Sequence, residues 1–522
     1  MTVDVLDSES FCSAYTFVFA GVVIVVVLGQ YCRARLFAKH AFPLPPGPPK
    51  TWFWDSAIPS NNVTPTMMQW IQKYGPVVSV CQGNQVSVII GSVETANDIM
   101  EKEGSALVDR PQAIAAGEIF SQSMRLVLIP VGSRFRRFRK AAQAQLQPRA
   151  IEAYRDILLE DAKQLVCDVL KAPEKHQEHV KRFSNSVILR MTYGKSMPTA
   201  NTDPEVVGMK LAAERFGIVM QPGAFLVDRI PILRYVPWYG LQLKAWSREE
   251  HELVLGQMER VQNEIASGIA GPSFMRTLLE QHGHQLSKTE MCSLAGTIFG
   301  AAVDNISAAI NTAVLAAACH PEAQARVQEQ LDAVVGRERA PSFEDVQCLT
   351  ELRAFMHESL RWRPTVPLGR TSSFRCQRLL TVGTGFAHRA TKDIVWKGLW
   401  VPAGATVYGC HWAISRDATA FPDPENFDPQ RWIEPCGRIR QDLKSFSFGF
   451  GRRVCPGQYL ASDSMLITLA YLFWAFRILE VKDAPIDRWA FEDAVIRSPR
   501  PFSALFSPRL DVRHLEEAVG QS

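Results

Sequence analysis

One segment, Phe446–Ala461 (FSFGFGRRVCPGQYLA), constrains the fold most because it places a single cysteine in a tight, charged loop ahead of an apolar run. The glycines at 451 and 457 allow the backbone to turn sharply and to approach a flat ligand. Arg453 and the N-terminus of the following helix bring positive charge to Cys455, which favours the thiolate, a good ligand for iron. Taken alone, such a cysteine is more often an ordinary core residue, so both interpretations stay open at this point.

The composition argues against several other classes of protein. The chain has 522 residues, of which 47% are hydrophobic, enough for a large buried core. Its formal net charge of +4 is small for this length and gives no indication of nucleic-acid binding. The eleven cysteines are scattered without a CxxC pair or a Cys/His cluster. That pattern disfavours zinc and a disulfide framework and suits a reducing compartment.

The N-terminal stretch Phe11–Gly29 is apolar, uncharged and long enough for one membrane-spanning helix. Arg33, Arg35 and Lys39 follow it, which predicts a cytosolic body and an N-terminus across the membrane. A cleaved signal peptide is the alternative, but the preceding residues are acidic and no small-residue cleavage site follows. The predicted divisions are a lumenal N-terminus (1–10), a transmembrane helix (11–29), a basic and proline-rich hinge (30–50) and a catalytic domain (51–522).

Helical patterns outnumber strand patterns in the body of the chain, and no composition shift marks a second domain. Val77–Ile90 predicts two short strands around a Gly-Asn turn. Met291–Cys319 is long, apolar and rich in small residues, which predicts a buried helix that ends before Pro321. Further helices are predicted for Ala150–Leu170, Glu322–Val335, Cys348–Trp362 and Pro456–Phe476.

Several motifs in chain order together resemble the cytochrome P450 family. Phe448-x-x-Gly451-x-Arg453-x-Cys455-x-Gly457 is similar to that family's haem-binding loop. Glu358-Ser-Leu-Arg361 matches its ExxR helix, and FPDPENFDPQRW, which ends in Pro429-x-Arg431-Trp432, resembles its later meander segment. The resemblance covers essentially the whole chain. It implies a cytochrome P450 fold, mainly α with small β-sheets, forming a single large domain behind the N-terminal membrane helix.

The resemblance also assigns roles to particular residues. Cys455 is the expected axial ligand of the iron of haem b, a thiolate that favours O–O cleavage. Phe448 is expected beside the sulfur, Gly451 and Gly457 in the close-approach turns, and Arg453 at a haem propionate. Arg139 is a second propionate candidate, the alternative being a solvated surface charge. The family usually has tryptophan where this chain has Phe135, so one hydrogen bond to haem is expected to be missing. Glu358, Arg361 and Arg431 are expected to form a buried structural network rather than a catalytic one.

The predicted helix over Met291–Cys319 carries the expected oxygen-binding side. Its segment Ala301-Ala302-Val303-Asp304-Asn305-Ile306 aligns with the family pattern (A/G)Gx(D/E)T(T/S). Asp304 occupies the acidic position that helps to deliver protons, and Asn305 stands where the family nearly always has threonine. An amide can also donate and accept hydrogen bonds, so monooxygenation stays possible. An amide here also suits relatives that rearrange peroxides without a reductase.

By family position the substrate pocket is expected to include Phe299, Ala302, Val303, Val366 and Phe502. These residues are apolar, which predicts a small apolar substrate. The stretch Gln221–Tyr239 resembles fungal secondary-metabolism members and predicts contact with the membrane surface, the alternative being simple core packing. The resemblance implies electrons from NADPH through cytochrome P450 reductase, and a single-pass location in the endoplasmic reticulum membrane. A basic cluster is expected to dock the reductase, the alternative being a solvated charged face; its members are Arg134, Arg136, Arg137, Arg139 and Lys140.

The family pattern Val-Pro-Leu-Gly-x-x-His is interrupted in this chain by an insertion, residues 370–385, between Gly369 and His388. Long structureless insertions are uncommon inside compact domains, so the segment is either a genuine loop or a retained intron. Three hypotheses follow: a membrane-anchored haem-thiolate monooxygenase, a haem-thiolate isomerase or dehydratase suggested by Asn305, and a haem-binding protein that the insertion inactivates.

Overall fold

The computed structural model describes residue 21 and residues 41–49, 63–82, 85–195, 201–221, 223–281, 285–366, 386–492 and 495–520. The predicted lumenal segment, the predicted membrane helix apart from Gly21, and the insertion 370–385 lie outside this part of the chain. The predictions for those segments stay predictions.

Helices make up most of the described chain. The α-helices of six or more residues are α1 (Val63–Tyr74), α2 (Ser133–Leu146), α3 (Arg155–Lys171), α4 (His176–Tyr193), α5 (Pro204–Val219), α6 (Leu241–Ala266), α7 (Phe274–Glu280), α8 (Lys288–Cys319), α9 (Pro321–Val334), α10 (Phe343–Cys348), α11 (Thr350–Trp362), α12 (Gln458–Ala475) and α13 (Val512–Ala518). Two π-helical segments cover Ala96–Lys102 and Ile114–Phe120, and short helical turns include Val93–Thr95, Pro148–Ile151, His411–Ile414, Pro429–Trp432 and Gly451–Arg453.

The strands form three small sheets within the described residues. They are β1 (Val77–Gln82), β2 (Gln85–Ile90), β3 (His388–Arg389), β4 (Ile394–Trp396), β5 (Leu399–Val401), β6 (Thr406–Gly409), β7 (Phe476–Glu480) and β8 (Ala504–Pro508). The largest sheet has the order β1-β2-β6-β3, with β1 and β2 antiparallel from Val77 opposite Ile90 and β2 parallel to β6. The predicted pair of strands over 77–90 is therefore confirmed.

Helix α8 lies at the centre of the largest core. It begins with a capping box, in which the Ser287 hydroxyl accepts from the Glu290 N–H and the Glu290 carboxylate accepts from the Ser287 N–H. It ends before Pro321, as predicted. By length and hydropathy it would be able to cross a membrane, but 72% of its most apolar window is buried inside the protein, which identifies it as a core helix. It packs on α4, α11 and α12.

Other predicted boundaries shift by a few residues. The sequence predicts one helix from Cys348 to Trp362, but the backbone of Leu349 (φ −87°, ψ 76°) is not helical and separates α10 from α11. The predicted last long helix ends at Ala475 rather than Phe476, because Phe476 begins β7. Contacts with distant parts of the chain set these helix ends, and the local sequence pattern does not encode such contacts.

The described part of the proline-rich hinge is docked on the sheet region. The carbonyl oxygen of Pro46 accepts from the Ser79 N–H at 3.0 Å, and that of Pro43 accepts from the Trp400 N–H at 2.8 Å. Proline has no N–H to donate, so these contacts use its remaining polar group, the carbonyl. The segment is thus held against β1 and β5, ahead of the body of the protein.

Candidate active site

The loop that carries Cys455 is held against the π-helical segment Ala96–Lys102, which contains Met100 and Glu101. The Cys455 N–H donates to the Phe448 carbonyl at 2.8 Å, and the Gly451 N–H donates to Glu101 Oε1 at 2.9 Å. Gly449 and Gly451 have φ of 85° and 51°, in the left-handed region that favours glycine. A Cβ at 451 would lie 2.8 Å from the Met100 carbonyl oxygen. Glycine at 451 therefore permits both the turn and the close contact.

The Cys455 sulfur lies just ahead of α12 in a partly electropositive setting. Burial raises the pKa of its thiol, while a hydrogen bond from the Gly457 N–H and the charge of Arg139 act in the opposite direction. Burial dominates, so the thiol by itself favours the protonated form. A metal ion bound to the sulfur would supply the missing compensating charge.

A buried cluster of cationic side chains accompanies this loop. Arg453 donates to the carbonyls of Val108, Leu126 and Ile129, and its guanidinium lies 3.6 Å from the centre of the Phe135 ring. Burial lowers the pKa of Arg453 to about 10, with a further lowering from the charge of Arg139. The cluster therefore concentrates positive charge where water is excluded.

Arg110 belongs to the same cluster and the neutral His388 lies beside it, and no motif in the sequence predicts a role for either residue. Arg110 donates to the carbonyls of Val127 and Ala387, and burial together with the charge of Arg453 lowers its pKa to about 9. Burial and the charge of Arg110 lower the pKa of His388 to about 3. Asp109, whose charge acts on both Arg110 and Arg453, also pairs with Arg389 and accepts from the Val131 N–H.

Arg361 and Arg431, two members of the predicted structural network, both contact the third member, Glu358. Glu358 and Arg361 are fully buried, and Arg361 donates to both oxygens of Glu358 at 2.7 Å. Arg431 donates to Glu358 Oε1 at 3.1 Å, and the Trp432 indole N–H donates to Oε2 at 2.9 Å. Arg361 also donates to three backbone carbonyls, those of Ser415, Pro424 and Asn426. These contacts join α11 to the segment before the cysteine loop.

On α8, Asp304 and Asn305 take different partners. Asp304 forms an ion pair with Lys181 on α4. The Asn305 side-chain N–H donates to the Ala301 carbonyl, one turn earlier, at 2.7 Å. Ala301 is exposed and Ala302 is half-buried, so this face of α8 is open beside these polar groups.

The residues predicted for the substrate pocket occupy different surroundings. Phe299 is buried in the core, with its ring centre 6.5 Å from that of Tyr193, and Val303 is also buried. Val366 is half-buried at the last residue before an undescribed segment. Phe502 packs on His176, with ring centres 4.9 Å apart. Their contact with a substrate stays a prediction.

The predicted basic cluster on α2 is partly neutralised. Arg134 and Arg137 both pair with Glu290, at 3.2 and 2.9 Å. Arg136 and Lys140 are exposed on the same helix. The cationic surface that remains is thus smaller than the sequence indicates.

Comparison with known proteins shows the same family along the chain. The sequence model of the cytochrome P450 family matches residues 45–373 and 376–506. The chain is 43% identical to cytochrome P450 monooxygenase 64 of Postia placenta, over 91% of this chain and 93% of that protein. It is 41% identical to cytochrome P450 monooxygenase 113 of the same fungus (95% and 97% covered) and 31% identical to cytochrome P450 monooxygenase ARMGADRAFT_1018420 of Armillaria gallica (94% of each). The chain therefore belongs to the cytochrome P450 family and is an oxidoreductase of the monooxygenase type.

Proposed function

We propose that the chain is a membrane-anchored haem-thiolate monooxygenase that inserts one oxygen atom into a small apolar molecule, with Cys455 as the iron ligand. The observation that carries this proposal is a half-buried thiol that accepts a hydrogen bond from the Gly457 N–H, on a loop that the Gly451–Glu101 contact holds in place. The thiol lacks the charge compensation that a bound metal ion would supply.

The cationic cluster fits the rest of haem b. Arg110, Arg139 and Arg453 carry more positive charge than Asp109 alone can neutralise, and burial lowers the pKa of all three. Two propionate carboxylates are the anions that such a cluster requires. In this proposal those residues hold the propionates, and Phe448 packs beside the sulfur. When bound, the haem iron supplies the activation of molecular oxygen.

The open face of α8 suggests the class of substrate, and the exposed cations of α2 suggest the electron donor. The half-buried Ala302 and the exposed Ala301 leave an apolar, sterically open face on α8, which suits a small apolar substrate. The relatives are fungal, and we place the reaction in fungal secondary metabolism. Arg136 and Lys140 are the exposed cations on α2 for docking an acidic, NADPH-dependent reductase.

Membrane attachment has support outside the predicted anchor. The segment 230–241 exposes large apolar side chains, and Ile232, Tyr235 and Trp238 have 70%, 71% and 73% of their surface exposed. Tyrosine and tryptophan are favoured where protein meets the headgroup layer. We infer that this segment rests on the same endoplasmic reticulum membrane that the helix over 11–29 would cross.

A second candidate, a haem-thiolate isomerase or dehydratase, is favoured by Asn305. One of its two amide N–H groups donates to the Ala301 carbonyl, and the position carries an amide where the family nearly always has a hydroxyl. Such an enzyme needs no reductase, so electron demand separates the two candidates.

The test is spectroscopic and then kinetic. The full chain is expressed with added hemin, reduced and exposed to carbon monoxide, and we expect the red-shifted Soret band of thiolate ligation. Cys455→Ala should lack this band, whereas Cys410→Ala, a buried cysteine in the sheet region, should keep it. Persistence of the band in Cys455→Ala would refute the ligand assignment. Oxidation of an apolar probe only with reductase and NADPH supports the monooxygenase, and conversion of a peroxide without them supports the isomerase.

A further inference from the structure

A small cavity lies beside α8, between that helix, α6 and the segment 120–125. Its volume is about 40 Å³, which leaves room for a hydroxyl or carbonyl group but not for a whole substrate. Side chains with polar ends line it from all three elements, namely Ser121, Arg125, Ser247, Glu250, Ser293 and Thr297. We call this cavity the polar chamber.

The polar chamber and the expected oxygen-binding side lie on the same side of α8. Ser293, Thr297, Ala301 and Asn305 follow one another at four-residue spacing, and none of them is buried. Residues four apart lie one above the other on the same face of an α-helix. At a rise of about 1.5 Å per residue, Thr297 lies about 12 Å before Asn305 along the helix axis. A molecule that lies along this face therefore reaches both places.

The polar chamber contains hydroxyl groups that lack a partner. In the described part of the chain, the Thr297 hydroxyl forms no hydrogen bond, and the buried Ser121 hydroxyl forms none either. The Ser293 hydroxyl, by contrast, donates to the Met124 carbonyl at 3.2 Å and ties α8 to the segment 120–125. Because buried polar groups nearly always have a hydrogen-bond partner, the chamber requires water or a ligand atom to complete them.

The charge of Arg125 in the polar chamber is already balanced. Arg125 forms an ion pair with Glu250, and these side chains are only 13% and 17% exposed. The guanidinium also lies over the Phe216 ring, 4.1 Å from its centre, which fixes its position. A carboxylate placed here would repel Glu250, whereas a neutral oxygen can accept from the guanidinium and bond Thr297 without adding a charge. The chamber therefore favours a neutral oxygen.

We propose that the polar chamber is a subsite for a hydroxyl or ketone oxygen at one end of an otherwise apolar substrate, with Thr297 as a specificity-determining residue and Arg125 as a second donor. This inference rests on the proposed monooxygenase function and narrows its substrate class. The apolar body of the substrate lies along α8. The oxygen in the chamber holds the carbon to be oxidised about 12 Å away, towards the opposite end of the molecule.

The experiment uses the full chain with haem and three probes with the same carbon chain, which are dodecan-1-ol, n-dodecane and dodecanoate. Their dissociation constants are read from the shift of the Soret band on titration. The deciding quantity is the ratio of the constant for dodecan-1-ol to that for n-dodecane. We expect Thr297→Val, which keeps the shape and removes the hydroxyl, to raise this ratio about threefold or more, the effect of one lost hydrogen bond.

Two further variants examine the same subsite. Thr297→Ser keeps the hydroxyl and should keep the wild-type ratio. The paired change of Arg125→Gln with Glu250→Gln leaves no buried charge unpaired, and it should also raise the ratio because the guanidinium donors are lost. In the wild type, dodecanoate should bind more weakly than dodecan-1-ol, since its charge meets Glu250.

Thr312→Val is the matched control for loss of a threonine hydroxyl. Thr312 lies on the same helix, its buried hydroxyl has no partner among the described residues, and it does not line the polar chamber. The ratio should therefore stay at the wild-type value. An unchanged ratio in Thr297→Val, no binding of dodecan-1-ol, or tighter binding of dodecanoate than of the alcohol overturns this inference alone, provided that the wild type shows the thiolate carbonyl band. A wild type without that band overturns the proposed function as well.

Discussion

At the scale of single residues, Glu358 has an environment that tolerates little change. It is fully buried and accepts from Arg361, Arg431, Trp432 and the Asp428 N–H. A carboxylate with this many donors is stable only because every charge has a partner. The network joins α11 to the meander that precedes the cysteine loop, so a local charge defect is expected to spread to the site.

Glu358→Gln tests this network. The change keeps the shape but leaves the Arg361 guanidinium buried without its counter-charge, and we expect a loss of about 3–5 kcal/mol in the free energy of unfolding. Urea denaturation measures it. Glu280→Gln is the control, because Glu280 pairs with Arg276 at 2.7 Å and both side chains are more than a third exposed, so it should cost under about 1 kcal/mol. Equal losses in both variants would contradict the assigned role.

At the scale of elements, the cysteine loop is positioned by backbone contacts with the turn around Glu101. Gly449 and Gly451 share a left-handed backbone, but they differ in surroundings. A Cβ at 449 meets nothing within 4 Å, whereas one at 451 lies 2.8 Å from the Met100 carbonyl oxygen. The two glycines therefore separate the effect of conformational strain from that of steric contact.

We expect Gly449→Ala to cost about 1 kcal/mol of stability and to keep its haem, because it bears only the left-handed strain. Gly451→Ala bears the same strain and must also push the loop from the turn, so haem bound per protein should fall severalfold. Haem content by the pyridine haemochrome assay, normalised to protein, measures the difference. Equal haem content in the two variants would show that the close contact does not position the loop.

The same elements explain what the sequence could predict. The cysteine loop and the Glu358–Arg361 pair have short, fixed spacings that local geometry dictates. Their motifs are therefore enough to predict both features from the sequence. Arg110 could not be found in this way, because its bond to the Ala387 carbonyl spans 277 positions and only the folded sheet creates it. The pairing of Asp304 with Lys181 is hidden for the same reason, since helix–helix packing brings the two residues together.

At the scale of the whole molecule, burial of histidines links stability to pH. Burial lowers the pKa of five histidines to between about 3 and about 4: His176, His320, His357, His388 and His411. The unfolded chain binds these protons from about pH 6.5, but the folded chain does not. The stability that the neutral histidines contribute is therefore full above pH 6.5 and is lost as the pH falls towards about 4, by up to about 1.4 kcal/mol per pH unit for each histidine.

His176 offers the sharpest test of this dependence. Its ring lies 4.9 Å from Phe502 and 5.2 Å from Phe506, and its buried Nε2 has no hydrogen-bond partner, so phenylalanine should fit the site. We expect His176→Phe to reduce the loss of unfolding free energy between pH 6 and pH 5 by about 1 kcal/mol, since one proton fewer is taken up on unfolding. Urea denaturation at the two pH values measures the slope, and His514→Gln, at a partly exposed histidine, should leave it unchanged. An identical slope in wild type and His176→Phe would mean that His176 does not contribute to the acid lability of the fold.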